Sequence, residues 1–341
     1  MLKPDIDSIF SITSPHEFQR TALSVFNYQA SENEVYKQYI KSLKINVDSI
    51  VTLEQIPFLP IQFFKTHTIV TDKEETKNKK QETSIFTSSG TTGTTTSKHY
   101  VNDISIYEKS YRKGFEHFYG NVENYAVFAL LPSYLEREGS SLIYMVNDLI
   151  KLSKNKHSKF YLNNIDEMIG WLMLREQFLL QPENFGKKNI LLGVTYALLD
   201  LIEKQHFTLQ NTIIMETGGM KGKREEQVRE QLHATLCNGF GVNAIHSEYG
   251  MTELLSQAYS KGNGVFNCPP WMKILIRDTN DPFSILATNK TGGINVIDLA
   301  NINSCSFIAT QDLGKYHPNN SFEVLGRFDN SDIRGCNLLI E

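Results

Sequence analysis

Between residues 126 and 245 the chain alternates short apolar runs with helix-spaced patterns, and this alternation restricts its fold more than any other feature. Ala126 to Leu131, Ile190 to Val194, Thr212 to Met215 and Ala244 to Ile245 read as buried strands. They are separated by helical patterns at Ser140 to Leu152, Asp166 to Leu179, Tyr196 to Glu203 and Lys223 to Leu236. Strands alternating with helices predict a parallel α/β sheet. After Pro270 the spacing changes. Met272 to Ile276, Ile294 to Asp298, Ser306 to Ala309 and Phe322 to Leu325 lie close together with few helical signals, predicting an antiparallel sheet or small barrel. Glu17 to Lys44 reads as one helical stretch, with Phe26, Tyr28, Val35, Tyr39 and Leu43 as its apolar points, and no internal repeat is evident.

At 341 residues the chain is long enough for one large domain or two closely packed subdomains. Lys and Arg number 34 against 38 Asp and Glu, a formal charge of −4, which argues against a nucleic-acid partner. Cys237, Cys268, Cys305 and Cys336 are far apart with no C-x-x-C pair, so neither a zinc knuckle nor a disulfide framework is expected. Met1 to Ile12 holds acids and a proline rather than a basic start and an apolar stretch, so no secretory leader is expected. No apolar segment reaches the ~20 residues of a membrane span. A cytoplasmic protein is therefore expected. The charged stretch Lys73 to Glu82 reads as a solvated connection.

That connection leads into Thr87-Ser88-Ser89-Gly90-Thr91-Thr92-Gly93-Thr94-Thr95-Thr96-Ser97-Lys98, nine hydroxyl residues and two glycines ahead of one lysine. Glycines let backbone N–H groups approach an anion, hydroxyls add donors that also reach a metal ion, and lysine supplies a mobile charge. The run reads as a phosphate loop. It is not a Walker loop, in which the lysine directly follows a glycine.

Two further motifs fit the same chemistry. In Ser247-Glu248-Tyr249-Gly250-Met251-Thr252-Glu253, tyrosine offers a flat face to a base, threonine a donor to phosphate oxygen and glutamate a hard ligand for magnesium. Thr310-Gln311-Asp312, followed by Gly326-Arg327-Phe328-Asp329, supplies a carboxylate for ribose hydroxyls and an arginine for the sugar or a phosphate. His99 and His246 sit beside these motifs and read as structural histidines, either of which could touch a bound carboxylate. Glu136 and Arg137 read as a surface ion pair, and Trp171 and Trp271 as packing residues.

In this order the motifs resemble those of the adenylate-forming enzymes: a Thr/Ser/Gly loop with a terminal lysine, Y-G-x-T-E, T-x-D and G-R-x-D. Leu53 to Lys65, Leu131 to Arg137, Glu216 to Gly222 and Ser331 to Cys336 are similar to the acyl-protein synthetases of the LuxE family. The resemblance implies the large-domain fold of that superfamily, with parallel α/β subdomains and a smaller β-rich one. The expected division is a helical cap at 1–50, a nucleotide- and acyl-binding core at 51–268, a β-rich subdomain at 269–329 and a tail at 330–341.

It also implies roles for individual residues. ATP, bound and later released as AMP, would lie against Ser89, Gly90, Thr91, Thr92, Gly93, Gly218, Gly219, Tyr249, Gly250, Thr252, Asp312 and Arg327. Mg²⁺ would be held by Glu253 and Thr92, and Lys98 would act in catalysis. A carboxylic acid, a fatty acid by analogy with the family, would be activated as acyl-AMP and passed to Cys336, then to an acceptor protein, a reductase or CoA. A thiolate attacks an acyl adenylate readily because AMP leaves easily.

Two departures accompany the resemblance. The superfamily usually has G-x-P-K after the second loop glycine, where this chain has Gly93-Thr94-Thr95-Thr96-Ser97-Lys98. Its typical members also carry ~100 further residues after the hinge, a small domain with a catalytic lysine. Here Asn330 to Glu341 follow, so most of that lysine domain is expected to be lacking, and charge stabilisation would fall to Lys98, Arg327, Arg334 or magnesium. Two other readings remain at this point: a phenylacetate-CoA-ligase-like enzyme that bypasses Cys336, and a nucleotide-binding subunit without adenylation activity.

Overall fold

The computed structural model describes residues 2–71, 83–88, 96–132, 139–218 and 228–327. Its strands run β1 (Leu59–Pro60), β2 (Ser84–Thr87), β3 (Lys98–Val101), β4 (Tyr125–Leu130), β5 (Lys159–Phe160), β6 (Lys188–Val194) and β7 (Thr212–Thr217). They continue as β8 (His246–Tyr249), β9 (Ala258–Ser260), β10 (Val265–Asn267), β11 (Met272–Arg277), β12 (Thr291–Asp298), β13 (Phe307–Tyr316) and β14 (Phe322–Arg327). The described residues within Met1–Ser110, Met251–Ser256 and Asn267–Glu341 form one compact unit, and those within Tyr111–Gly250 and Gln257–Phe266 form a second. Among the described residues no helix is long and apolar enough to cross a membrane.

The second unit is the parallel sheet expected from the alternation. Its strands are ordered β9-β8-β7-β6-β4-β5, parallel from β8 to β5, with β9 antiparallel at β8. Leu191 of β6 stands between Phe128 of β4 and Ile214 of β7, and β4 is buried at every position. Burial on both faces explains why these strands read as unbroken apolar runs. The run Ala244 to Ile245 proves to be only the approach to a strand. The strand itself is His246–Tyr249, polar in sequence but hydrogen-bonded through its side chains to β7. Helix Arg229–Phe240 stops at Gly241, whose φ of 66° is left-handed. A Cβ there would also sit 2.7 Å from the Phe207 carbonyl oxygen, so only glycine fits.

The first unit carries the antiparallel sheet β11-β12-β13-β14, with β1 lying parallel to β13 at Leu59↔Ile308. The helical stretch expected over Glu17 to Lys44 is two helices, Pro15–Glu32 and Glu34–Ser42. The first begins with a complete capping box between Ser14 and Glu17, and Pro15 supplies the preset first turn. Asn33 breaks the stretch. Its Oδ1 accepts from the Tyr36 N–H at 3.0 Å and its Nδ2 donates to the Ser304 carbonyl at 2.8 Å, so a fully buried side chain caps one helix and fastens it to the sheet side of the unit. Phe26, Tyr36 and Phe58 pack their rings around Phe307 of β13. Trp271 is buried at 3% exposure, as expected, whereas Trp171 is 36% exposed, its ring beside that of His157.

Candidate active site

In the first unit, β2 and β3 form an antiparallel pair from Ser84↔Val101 to Thr87↔Lys98. The ladder continues one step further: Ser88 N–H donates to the Ser97 carbonyl at 3.1 Å, and Ser97 N–H to the Ser88 Oγ at 2.9 Å. This pairing fixes both ends of the hydroxyl-rich loop. Ser89, Gly90, Thr91, Thr92 and Gly93 themselves lie outside the described residues, as do Gly219, Cys336, Glu136 and Arg137. Alternation along the strand puts Ser97 and His99 on a buried face and Lys98 on the exposed one.

His99 is fully buried, and its Nδ1 lies 2.8 Å from the Thr252 carbonyl oxygen. A carbonyl can only accept, so the proton is on Nδ1. Burial holds the ring's pKa down to about 4, and the imidazole is neutral. The histidine beside the loop therefore ends on the motif that carries Glu253.

The Met251–Ser256 segment is latched by Asp298, which ends β12, and by Asn301, which follows it. Asp298 accepts from the N–H groups of Leu255 and Ser256 at 2.8 and 2.9 Å and from the Ser256 hydroxyl at 2.6 Å. Asn301 Nδ2 donates to the Glu253 carbonyl at 2.8 Å. The Glu253 side chain is buried, which raises its pKa, while the Ser97 hydroxyl and the charges of Arg327 and Lys65 act in the opposite direction. Neither Asp298 nor Asn301 stood out in the sequence, because a buried polar latch has no local pattern.

Asp312 and Arg327 are cross-strand partners on β13 and β14, with Arg327 Nε 3.2 Å from the Asp312 carboxylate. Asp312 is buried and Arg327 is 76% exposed, so the pair presents its cation to solvent. The register thus joins the T-x-D and G-R motifs.

In the second unit the candidates gather at the carboxyl ends of parallel strands, where open α/β sheets place their ligands. Gly218 directly follows β7 with a φ of 69°, and its carbonyl accepts from Thr195 Oγ1 at 2.8 Å. Behind it, buried Glu216 accepts from the Ser247 hydroxyl at 2.9 Å and pairs with His233 Nε2 at 2.9 Å. Burial opposes the charge on Glu216, yet the hydrogen bond and charge of His233 keep its pKa below the usual value. Tyr249 is buried at 8% exposure with its ring against that of Phe266, and Gly250 leaves room for the Glu248 carboxylate, which a Cβ would strike. Glu248 accepts from Thr217 Oγ1 at 2.6 Å, and burial pushes it up to about 7.

The sequence pattern of the acyl-protein synthetase family LuxE matches residues 14–341. The chain belongs to the LuxE family. No curated protein matches it. Among solved structures, ATP-bound MatB from Rhodopseudomonas palustris is similar, with a TM-score of 0.52 and 16% identity over 71% of this chain and 47% of MatB. An open conformation of 2-hydroxyisobutyryl-CoA ligase, in complex with 2-HIB-AMP and CoA, gives a TM-score of 0.64 and 10% identity over 96% of this chain and 80% of the ligase. The same ligase in its postadenylation state gives 0.64 and 12%, over 96% and 73%. The LuxE-family chain spans about half the length of MatB. Its fold is that of the adenylate-forming ligases.

The surroundings of His246 and of three cysteines are defined in this LuxE-family structure. His246 Nδ1 lies 3.1 Å from the Tyr119 hydroxyl, and burial lowers its pKa to about 4, so the ring is neutral. Cys237, Cys268 and Cys305 are free thiols whose pKa values burial raises, to about 12 for Cys305. None of these three carries the thiolate character of a reactive cysteine.

Proposed function

We propose that this LuxE-family protein activates a carboxylic acid, a fatty acid by family analogy, with ATP and transfers the acyl group to Cys336. The observation that carries the reading is the assembly in one unit of the Lys98 strand, the Thr252–Glu253 turn joined to it through His99, and the Asp312–Arg327 pair. Lys98 neutralises phosphate charge at the mouth of the loop, with Ser89, Gly90, Thr91, Thr92 and Gly93 as its donors. Asp312 accepts from the ribose hydroxyls and Arg327 holds the sugar or a phosphate. Thr252 borders the nucleotide in the same unit, and the family resemblance alone adds Gly218, Gly219, Tyr249 and Gly250 as candidates.

Among the described residues no three His, Cys, Asp or Glu side chains form a metal cage. Magnesium entering with a triphosphate needs only one or two carboxylates besides phosphate oxygens, and buried Glu253 fits that requirement, with Thr92 as a second ligand. When bound, the ion supplies charge neutralisation on the phosphates.

The substrate carboxylate oxygen attacks the α-phosphorus, the bond to the bridging oxygen breaks, and pyrophosphate leaves. Positioning and charge neutralisation suffice, so no general base is needed. The Cys336 thiolate, its proton released to solvent, then attacks the acyl carbonyl. The bond to AMP breaks and a thioester remains, ready for an acceptor protein, a reductase or CoA.

A second reading, direct transfer of the acyl group to CoA, is supported by the likeness to 2-hydroxyisobutyryl-CoA ligase. Acid-dependent pyrophosphate release from ATP, followed by intact-protein mass spectrometry, separates the two. Release with a hydroxylamine-sensitive acyl mass on the protein supports self-acylation, and release without one supports the CoA ligase. ATP binding without acid-dependent release overturns both in favour of a nucleotide-binding subunit.

A further inference from the structure

His99 is an expensive way to fill its space. Its ring is wholly buried, edge-on to Phe64 with centroids 5.6 Å apart, in surroundings where an apolar ring would leave no polar atom of its own unpaired. Instead the ring buries a nitrogen, Nε2, that has no partner among the described residues. Burying an unpaired polar atom is unfavourable, so the hydrogen bond made by the other nitrogen is what the imidazole provides. That bond runs from Nδ1 to the carbonyl of Thr252, across 153 positions of sequence.

Its two ends are distinctive. One is adjacent to Lys98 and the other is adjacent to Glu253. Independently of His99, Asp298 at the end of β12 and Asn301 just after it already hold the backbone of Glu253, Leu255 and Ser256. The turn would therefore keep its own shape without His99. What His99 adds is a connection between that turn and the β2–β3 hairpin.

We propose that His99 is a positioning residue, a yoke that fixes the Lys98 strand relative to the Glu253 turn so that both act on one metal–triphosphate complex. The proposal rests on the reading of Lys98 and Glu253 given above. It makes no use of ring protonation. The tie is a neutral N–H donating to a carbonyl, and its effect is geometric.

The test is Mn²⁺ binding by calorimetry with ATP present, on the full chain, which reads the site independently of turnover. His99→Phe keeps the ring and removes the donor. Its Mn²⁺ midpoint is expected to rise roughly tenfold, the lower end of what loss of an outer partner costs a metal site, with thermal unfolding close to wild type. His99→Asn places an amide donor near the position of Nδ1 and restores the midpoint, whereas His99→Gln places it near Nε2 and does not. If His99→Phe fails to fold, the Asn and Gln pair decides alone. Glu253→Gln is the control. Loss of Mn²⁺ binding in Glu253→Gln together with wild-type midpoints in His99→Phe and His99→Gln overturns the yoke and leaves the site assignment standing. Undiminished binding in Glu253→Gln overturns the site assignment, and the yoke falls with it.

Discussion

Arg327 stands directly across the strand pair from Asp312, its Nε 3.2 Å from a carboxylate that is almost wholly buried while the guanidinium is three-quarters exposed. An ion pair so open to water adds at most ~1 kcal/mol to stability. Its arrangement suits a ligand better than a fold: a buried acceptor with an exposed cation beside it.

Arg327→Ala is therefore expected to leave thermal unfolding nearly unchanged while lowering kcat/KM for ATP about tenfold or more, a loss of ~1.4 kcal/mol or more in transition-state binding. Asp312→Asn should do the same through KM for ATP, since an amide cannot accept from two ribose hydroxyls as a carboxylate does. Pyrophosphate release at varied ATP, alongside calorimetric melting, checks both. A large fall in melting temperature with unchanged kinetics would make the pair structural.

Glu248 gives the protein a pH-dependent term in its stability. Burial raises its pKa from 4.5 in the unfolded chain to about 7 in the folded one. Between those values the folded state holds the proton more firmly, so this contribution is complete below 4.5 and is lost as pH rises through 7, by up to about 3 kcal/mol. Glu248→Gln removes the term. Urea unfolding from pH 5 to 8 should show the wild type declining relative to this variant, and parallel profiles would rule out the raised pKa.

Asn33 is fully buried and serves a helix start and a sheet-side carbonyl at once. Replacing it with alanine leaves both groups short of a partner and should cost about 2–3 kcal/mol. Acid-dependent pyrophosphate release by the folded fraction should be unchanged, as measured below the melting transition.

At Gly241 the backbone is left-handed and the space is closed by the Phe207 carbonyl. Gly241→Ala is expected to destabilise by more than ~1 kcal/mol, detected as a lower denaturant midpoint with an unchanged slope.

For Cys336, the expectation concerns covalent chemistry. Cys336→Ser should form acyl-AMP and release pyrophosphate at the wild-type rate in the first turnover, yet carry no hydroxylamine-sensitive acyl mass. An undiminished adduct in that variant would move the acceptor to another residue.

Much of the architecture was legible in the chain because burial leaves a local imprint. A strand covered on both faces must be apolar at every position, as β4 is, and a helix crossover between such strands makes the sheet parallel. The hydroxyl-rich loop, Y-G-M-T-E, T-Q-D and G-R-F-D stand out by residue type alone, and they carry the proposed function. The break at Asn33 was hidden, since an asparagine within a helical pattern becomes a cap only when the carbonyl of Ser304 stands ready to receive its amide. Strand β8 was hidden for the opposite reason: its polar side chains look like a loop until Glu216 and Thr217 of the neighbouring strand are there to bond them. Register decided that Asp312 meets Arg327, and packing across 153 positions decided that His99 meets Thr252. Sequence by itself determined the alternation of apolar strands with helices from β4 to β7, because a strand buried on both faces must be apolar along its own length. Only the tertiary structure decided which distant groups meet, because a hydrogen bond between distant segments depends on the register and crossing of everything that lies between them.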